Sequence, residues 1–282
     1  MKLFSKEKMS DGRRNIYLFG FKLLSYRKKS QSNLQPSIYD EYKIKFSNAN
    51  WKLSKDNKYY YISKDNFKVC GVADNTLWTA YGVFCKDEYN FKSKDEYIMI
   101  DIGLNLGFTS LRFAQKSNIK KIYGYEPFKQ TYELATKNLE LNPKLAEKIK
   151  IFNFGLSDNN KIINIHYNSN LPGSMSTVVD RFEESTEECK VELKNVADIL
   201  KPIFEKHNEK IFVKIDCEGA EKEILPCLEQ FNLLNSIDFI IMEWHFESPN
   251  YLIDILVRNN FLVSCRHDII DDLGTIIAFR NK

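Results

Sequence analysis

The chain is predicted to be an α/β protein, a doubly wound seven-stranded sheet preceded by a small β-rich extension. Three observations predict it. From Tyr97 onward, short apolar β-branched runs alternate with stretches of helical periodicity, the pattern of a sheet with helices on both faces. Residues 99–114, MIDIGLNLGFTSLRFA, pass from a buried strand through a glycine-spaced turn into a helix. Before residue 95, alternating runs around Lys52, Tyr60 and Phe67 are separated by Asn and Asp, which suits a small β-region.

In order along the chain, residues 1–35 read as a basic, aromatic segment and linker, with RRNIYLFGFKLLSYRKK at 13–29 followed by the polar SQSNLQPS. Residues 36–94 form the β-rich region and 95–282 the main domain. Its expected elements are a strand ending at Asp101, a helix from about Phe108, a strand at 121–125, a helix at 129–141 and a strand at 149–154. The alternation resumes with a strand at 211–216, a helix at 219–233, a strand at 238–243, a helix at 250–260, and strands at 261–265 and 275–279. Between the halves, residues 162–194 break the rhythm with IINIHYN, the turn-prone LPGSMST and the acidic EESTEE. This insert reads either as a surface hairpin or as a lid over the carboxyl edge of the sheet, where open α/β folds bind ligands.

Composition narrows the function classes. A chain of 282 residues with 43% hydrophobic content can bury a sizeable core, so large-scale disorder is not expected. No apolar run approaches the roughly 18 residues of a membrane span, and no secretory signal is evident. The six cysteines lack any C-x-x-C pair, which argues against a zinc ribbon or a disulfide framework and for a reduced, cytoplasmic protein. Residues 1–30 hold nine Lys or Arg against two acids, a charge of +7, so the net +3 leaves 3 − 7 = −4 for the rest. A mildly acidic body excludes an extended nucleic-acid footprint. The basic charge at 13–29 suits contact with a membrane surface or a partner, and its stretch IYLFGFKLLSYRKK resembles short basic aromatic segments at the ends of bacterial surface-polysaccharide enzymes, which implies a partner enzyme of glycan synthesis at the inner face of the membrane.

The chemistry starts at Asp101-x-Gly103-x-Asn105-x-Gly107. These residues let the backbone turn sharply beside a ligand, but Asn105 and Phe108 stand where a dinucleotide fingerprint wants glycine. Asp101 at the strand end suits a ligand carrying an ammonium or sulfonium instead. Followed by YGYEP at Glu126, KIDCEGAE from Lys214 to Glu221 and MEWH from Met242 to His245, this loop resembles the FkbM-like family of S-adenosylmethionine-dependent methyltransferases, over about residues 75 to 280. The resemblance implies a Rossmann-like class I methyltransferase sheet, S-adenosylmethionine as cofactor and O-methylation, often of sugars or polyketide-linked groups.

Site residues follow. Asp101, Gly103, Asn105 and Gly107 form the cofactor loop, and Glu126, about 25 residues on, has the position of a carboxylate that accepts from both ribose hydroxyls. Phe128 can stack on adenine. The resemblance places the adenine edge at NFGLSD, with Asn153, Gly155 and Asp158, although a plain αβ turn uses the same residue types. Asp216 and Glu218 leave the fourth strand one residue apart, and Glu218 can also be a helix N-terminal acid. The resemblance carries the acid facing the reacting groups to Asp216. Glu243 and His245 end the fifth strand on one side, with Trp244 on the other. Two alternatives remain for the acceptor's proton: His245 as general base, or Asp216, Glu218 and Glu243 holding Mg²⁺ or Mn²⁺. Lys214, inside an apolar strand, can reach a site carboxylate or snorkel to the sheet edge. The other histidines, His166, His207 and His267, read as structural.

The expected function is an S-adenosylmethionine-dependent O-methyltransferase of a sugar hydroxyl, in capsule or lipooligosaccharide biosynthesis, with a sugar or nucleotide sugar as substrate. The alternatives are methylation of a non-sugar small molecule and, from another class, a non-catalytic partner that keeps the fold. A nucleotide-sugar dehydrogenase is disfavoured by the dinucleotide mismatch.

Overall fold

A computed structural model describes residues 37–168, 171, 173–180, 187–246, 248–267 and 273–281, with the backbone of 4–8, 13–18 and 21–27. The chain forms two compact units, Met1–Ser37 and Ile38–Lys282. In the first, β1 (Phe4–Lys8), β2 (Arg13–Leu18) and β3 (Phe21–Arg27) pair antiparallel in that order. Two of these strands are cut from the basic aromatic segment; its side chains and the linker at 30–36 lie outside the described residues.

The second unit opens with α1 (Ile38–Asn48) and a three-stranded meander, β4 (Lys52–Lys55), β5 (Tyr60–Lys64) and β6 (Phe67–Gly71). Then α2 (Asn75–Tyr81) runs into a π-helical turn at Gly82–Lys86. The expected β-region is therefore half helical. Helix α1 buries only Phe46, so its sequence carries little of the apolar periodicity that marks a helix. Nor does residue 94 end a separate body: Phe46, Ile62, Val69 and Leu77 share one core with Met99, Phe212 and Phe239 of the main sheet.

The main elements are β7 (Tyr97–Ile102), α3 (Phe108–Ala114), β8 (Ile119–Tyr125), α4 (Lys129–Glu140), α5 (Pro143–Ala146) and β9 (Ile149–Phe152). A side sheet follows, built from β10 (Gly155–Ser157), β11 (Lys161–Tyr167) and β12 (Glu187–Asn195), in which β11 and β12 pair antiparallel and β10 joins β12 in parallel. The chain returns through α6 (Val196–Lys206), β13 (Lys210–Ile215), α7 (Glu221–Gln230), β14 (Phe239–His245), α8 (Asn250–Arg258), β15 (Phe261–His267) and β16 (Leu273–Arg280). Helix α6 has no counterpart among the expected elements; Asn195 caps it by accepting from the Ala197 and Asp198 N–H groups, and it buries Val196, Leu200 and Phe204.

The seven-stranded sheet has the order β15-β16-β14-β13-β7-β8-β9, with β16 antiparallel to both neighbours and the other pairs parallel. Connections run outward from β7 to one edge and from β13 to the other, so the strand order reverses between them. Ligand sites in open α/β sheets lie at the carboxyl ends of such a pair. Alternation along β7 assigns the faces: Ile98, Ile100 and Ile102 pack with α6, α7 and α8, whereas Tyr97 and Met99 face α3 and residues 38–94. Among the described residues, no helix is long and apolar enough to cross a membrane.

Asn138 of α4 locks the N-terminal meander to the main domain. Fully buried, its side chain accepts from the Cys70 N–H at 2.6 Å and donates to the carbonyls of Cys70 and Leu106 at 2.9 Å each. Asn138→Ala leaves these backbone groups unpaired and is expected to cost at least about 2 kcal/mol of stability, read as a lower urea midpoint.

Candidate active site

Strand register builds the site. Asp101 lies opposite Lys214, and Ile102 opposite Ile215, which in turn faces Met242. One position further on, Gly103, Asp216 and Glu243 therefore come level across three strands, with His245 two residues past Glu243. All of them continue the face that carries Met99, Phe212 and Ile241, the face covered by residues 38–94.

Lys214 is 2% exposed. Its ammonium donates to the Gly103 carbonyl at 2.7 Å and sits 3.4 Å from Asp101 Oδ1 and 3.3 Å from Asp216 Oδ2. Burial opposes the charge, but Asp216 and Asp101 outweigh it and raise the lysine pKa. Asp101, fully buried, also accepts from Ser110 Oγ at 2.6 Å and so ties β7 to α3.

The turn from β7 to α3 places Gly103, Asn105 and Gly107 at φ of +80°, +52° and +76°. A Cβ at Gly103 would lie 1.7 Å from the Asp216 carbonyl oxygen, so only glycine lets β7 and β13 approach this closely. Glu126 at the end of β8 accepts from the Asn105 N–H at 2.8 Å through one oxygen and from the Phe128 N–H at 3.0 Å through the other. Its burial pushes the carboxyl up to about 7 against these two hydrogen bonds. A cleft lined by Gly103, Asn105, Tyr125, Glu126, Phe128 and Leu156 runs along these strand ends, and Gly173, Met175 and Thr177 of the insert close its other side. Two buried atoms of this lining, Asn105 Oδ1 and Tyr125 Oη, have no hydrogen-bond partner among the described residues.

A second cavity, of about 490 Å³, adjoins the first and shares Gly103, Asn105, Gly173, Asp216 and Glu218 with it. Residues 38–94 supply its aromatic wall, Tyr42, Trp78, Tyr81 and Tyr89. Asp216, Glu243 and His245 each offer one ligand atom within 4.8 Å of the others. The Tyr89 hydroxyl donates to Asp216 Oδ2 at 3.0 Å and lies 3.5 Å from Glu243 Oε2. Burial raises Asp216, but Lys214, His245 and Tyr89 overcome it and hold the carboxyl below its ordinary range. Burial, then the Asp216 charge, pushes Glu243 up to about 8. Burial disfavours imidazolium at His245, yet the Glu221 hydrogen bond and charge, with Asp216 and Glu218, lift it to about 9. One cluster thus keeps an ionised acid beside groups that exchange protons above neutrality.

Several expected site residues stand elsewhere. Asp101 lines neither cavity, because its carboxylate is spent on Lys214 and Ser110. Gly107 turns the chain into α3 and packs on Ala135. Asp158 bonds Ser157 and Asn159 outside both linings, leaving Gly155 and Leu156 at the expected adenine edge. Glu218 is not in the group of three; its carboxylate lies 3.7 Å from His245 Nε2, and His245 replaces it beside Asp216 and Glu243. Phe128 lines the cleft with its ring packed on Tyr167 at 5.8 Å. The insert is both hairpin and cover: β11 and β12 form its stem, and residues 173–177 reach both cavities. Of its acidic run, 183–186 lie outside the described residues. Tyr89 and the aromatic wall escaped the sequence reading, since nothing local marks residues that only tertiary packing brings to a distant strand end.

The family described as Methyltransferase FkbM domain matches residues 101–263. Methyltransferase sdnD of Sordaria araneosa is 29% identical over 171 residues, which cover 52% of this chain and 65% of that protein, so the match spans under two thirds of the relative. Among solved structures, methyltransferase FkbM from Methylobacillus flagellatus superposes with a TM-score of 0.48 at 16% identity, over 71% of this chain and 47% of that one. TrmK of M. capricolum, in complex with S-adenosyl-homocysteine, gives 0.38 at 15% identity over 66% and 63%.

Lys214→Met leaves Asp101 buried without its counter-charge. The variant is expected to lose about 3 to 5 kcal/mol of unfolding free energy in urea titration.

Proposed function

This chain belongs to the FkbM methyltransferase family, and from that premise we propose that it is an S-adenosylmethionine-dependent O-methyltransferase acting on a sugar hydroxyl. The observation that carries the reading is the pair of cavities meeting at Asp216: one lined by a glycine turn and a buried carboxylate, the other by acids and aromatic rings. Glu126 retains lone pairs for ribose hydroxyls beyond its two backbone bonds, and the unpartnered Asn105 Oδ1 and Tyr125 Oη suit a polar ligand. The residues present therefore fit the cofactor. When bound, it supplies an electrophilic methyl group.

The chain's own residues orient the acceptor and take its proton. Asp216, Glu218 and Glu243 can accept from sugar hydroxyls while Trp78 and Tyr81 offer flat apolar faces. An alcohol is a poor nucleophile while it keeps its proton, so the reading assigns its removal to Nε2 of neutral His245. The expected setting is bacterial surface glycan synthesis in the cytoplasm, with residues 13–29 as the contact to a membrane or partner enzyme. A mass-spectrometric screen of hexoses and nucleotide sugars, scored for gain of one methyl group, tests the acceptor.

A second reading rests on the 4.8 Å grouping of Asp216, Glu243 and His245. Two carboxylates and an imidazole suit Mg²⁺ or Mn²⁺, which would lower the acceptor's pKa in place of a base. Exhaustive chelation is expected to leave methyl transfer intact; transfer lost on chelation and restored by either ion would establish the metal version.

Glu126→Gln is expected to weaken S-adenosylmethionine binding at least about tenfold, because charge-assisted hydrogen bonds contribute about 1.5 to 3 kcal/mol each. For the unaltered protein, the carboxyl near 7 must ionise to accept strongly from hydroxyls. Affinity should thus rise with pH through about 7 and then level off, a dependence absent from the Gln variant in calorimetry.

A further inference from the structure

We propose that Glu221 is the positioning residue of the site: it holds the Nδ1–H of His245 and thereby aims Nε2 at the acceptor cavity. The inference rests on the methyltransferase reading for what Nε2 does, but its geometry stands alone. Glu221 opens α7 and is fully buried. Its Oε1 accepts from the Cys217 N–H at 3.0 Å and lies 3.2 Å from His245 Nδ1. A carboxylate clamped by backbone cannot follow the ring, so the ring must follow the carboxylate. The turn at Glu218 and Gly219, with φ of +54° and +108°, leads from β13 into α7, whose first residue then meets His245 of β14.

The other polar groups facing the ring leave Nδ1 to Glu221. Glu218 Oε2 approaches Nε2, at 3.7 Å; Asp216 and Glu243 gather on the cavity side; Tyr89 and Lys214 engage Asp216. Carboxylate oxygen is also the right chemistry at Nδ1, since it accepts the ring N–H. A proton held at Nδ1 makes Nε2 the nitrogen that is free to take another.

Nitrogen-15 NMR of the imidazole in the full chain tests the assignment. Neutral His245 is expected as the Nδ1–H tautomer, in contrast to the Nε2–H form that unconstrained histidine prefers. Glu221→Ala should convert it to Nε2–H. Glu221→Gln keeps an acceptor oxygen in place and should restore Nδ1–H, which a loss of packing alone would not do. An Nε2–H tautomer in the unaltered protein, or an unchanged tautomer in a folded Ala variant, overturns the proposal. If Ala does not fold, the unaltered and Gln proteins still decide it. Calorimetry of S-adenosylmethionine on the unaltered protein is the separate check: no binding there defeats the methyltransferase reading and leaves the tautomer assignment standing.

Discussion

Lys214 sits inside an apolar strand with its ammonium almost wholly out of water, and an ion in that position costs several kcal/mol unless its partners are fixed around it. Those partners are Asp101 on β7, the carbonyl of Gly103 at the start of the glycine turn, and Asp216 at the end of β13. The two central strands are thus held at one spacing where the strand order reverses. Gly103 completes the constraint, because any side chain there would strike the Asp216 carbonyl. The glycine turn and the acidic strand end hang from the same buried charge.

That arrangement also sorts protons. Asp216 stays ionised because Lys214, His245 and Tyr89 stabilise its negative form, and its charge then helps burial keep a proton on Glu243. His245 is lifted by the acids around it. Groups of similar intrinsic acidity are pushed apart by their positions around one cation, which lets a small cavity contain both a fixed anion and groups that exchange protons.

Residues 38–94 and the insert give the site its walls. Residues 38–94 cover the face of the sheet from which Asp216, Glu243 and His245 project, and they bring four aromatic rings to the second cavity. From the other direction Gly173 reaches the boundary of the two cavities, so close to Asn105 that a Cβ there would lie 2.5 Å from Nδ2. Ser176 pins this stretch by donating to the Glu218 carbonyl at 2.6 Å. The glycine turn, the acidic strand end and the insert are therefore coupled by contacts of ordinary hydrogen-bond or packing length.

Local signals in the sequence determined the class of the fold and the ends of its strands. Short apolar β-branched runs, the glycine-spaced turn and acids at strand termini are all properties of a few neighbouring residues, so the seven strands and the strand-end positions of Glu126, Asp216, Glu243 and His245 were legible in the sequence. Helices α1 and α6 were not, the first because it buries a single side chain and the second because it follows an irregular insert. Only the tertiary structure decided which acids face a cavity. Asp101 and Asp216 look alike in sequence, both acids at strand ends, yet one is consumed by Lys214 and Ser110 and the other opens onto both cavities. Glu221 reads as an ordinary helix N-terminal acid until β14 sets His245 against it, and Tyr89 as a loop residue until it bridges Asp216 and Glu243. The physical reason is range: propensity and alternation act over a few residues, whereas a side chain's proton affinity and exposure depend on charges that the fold brings from more than a hundred residues away.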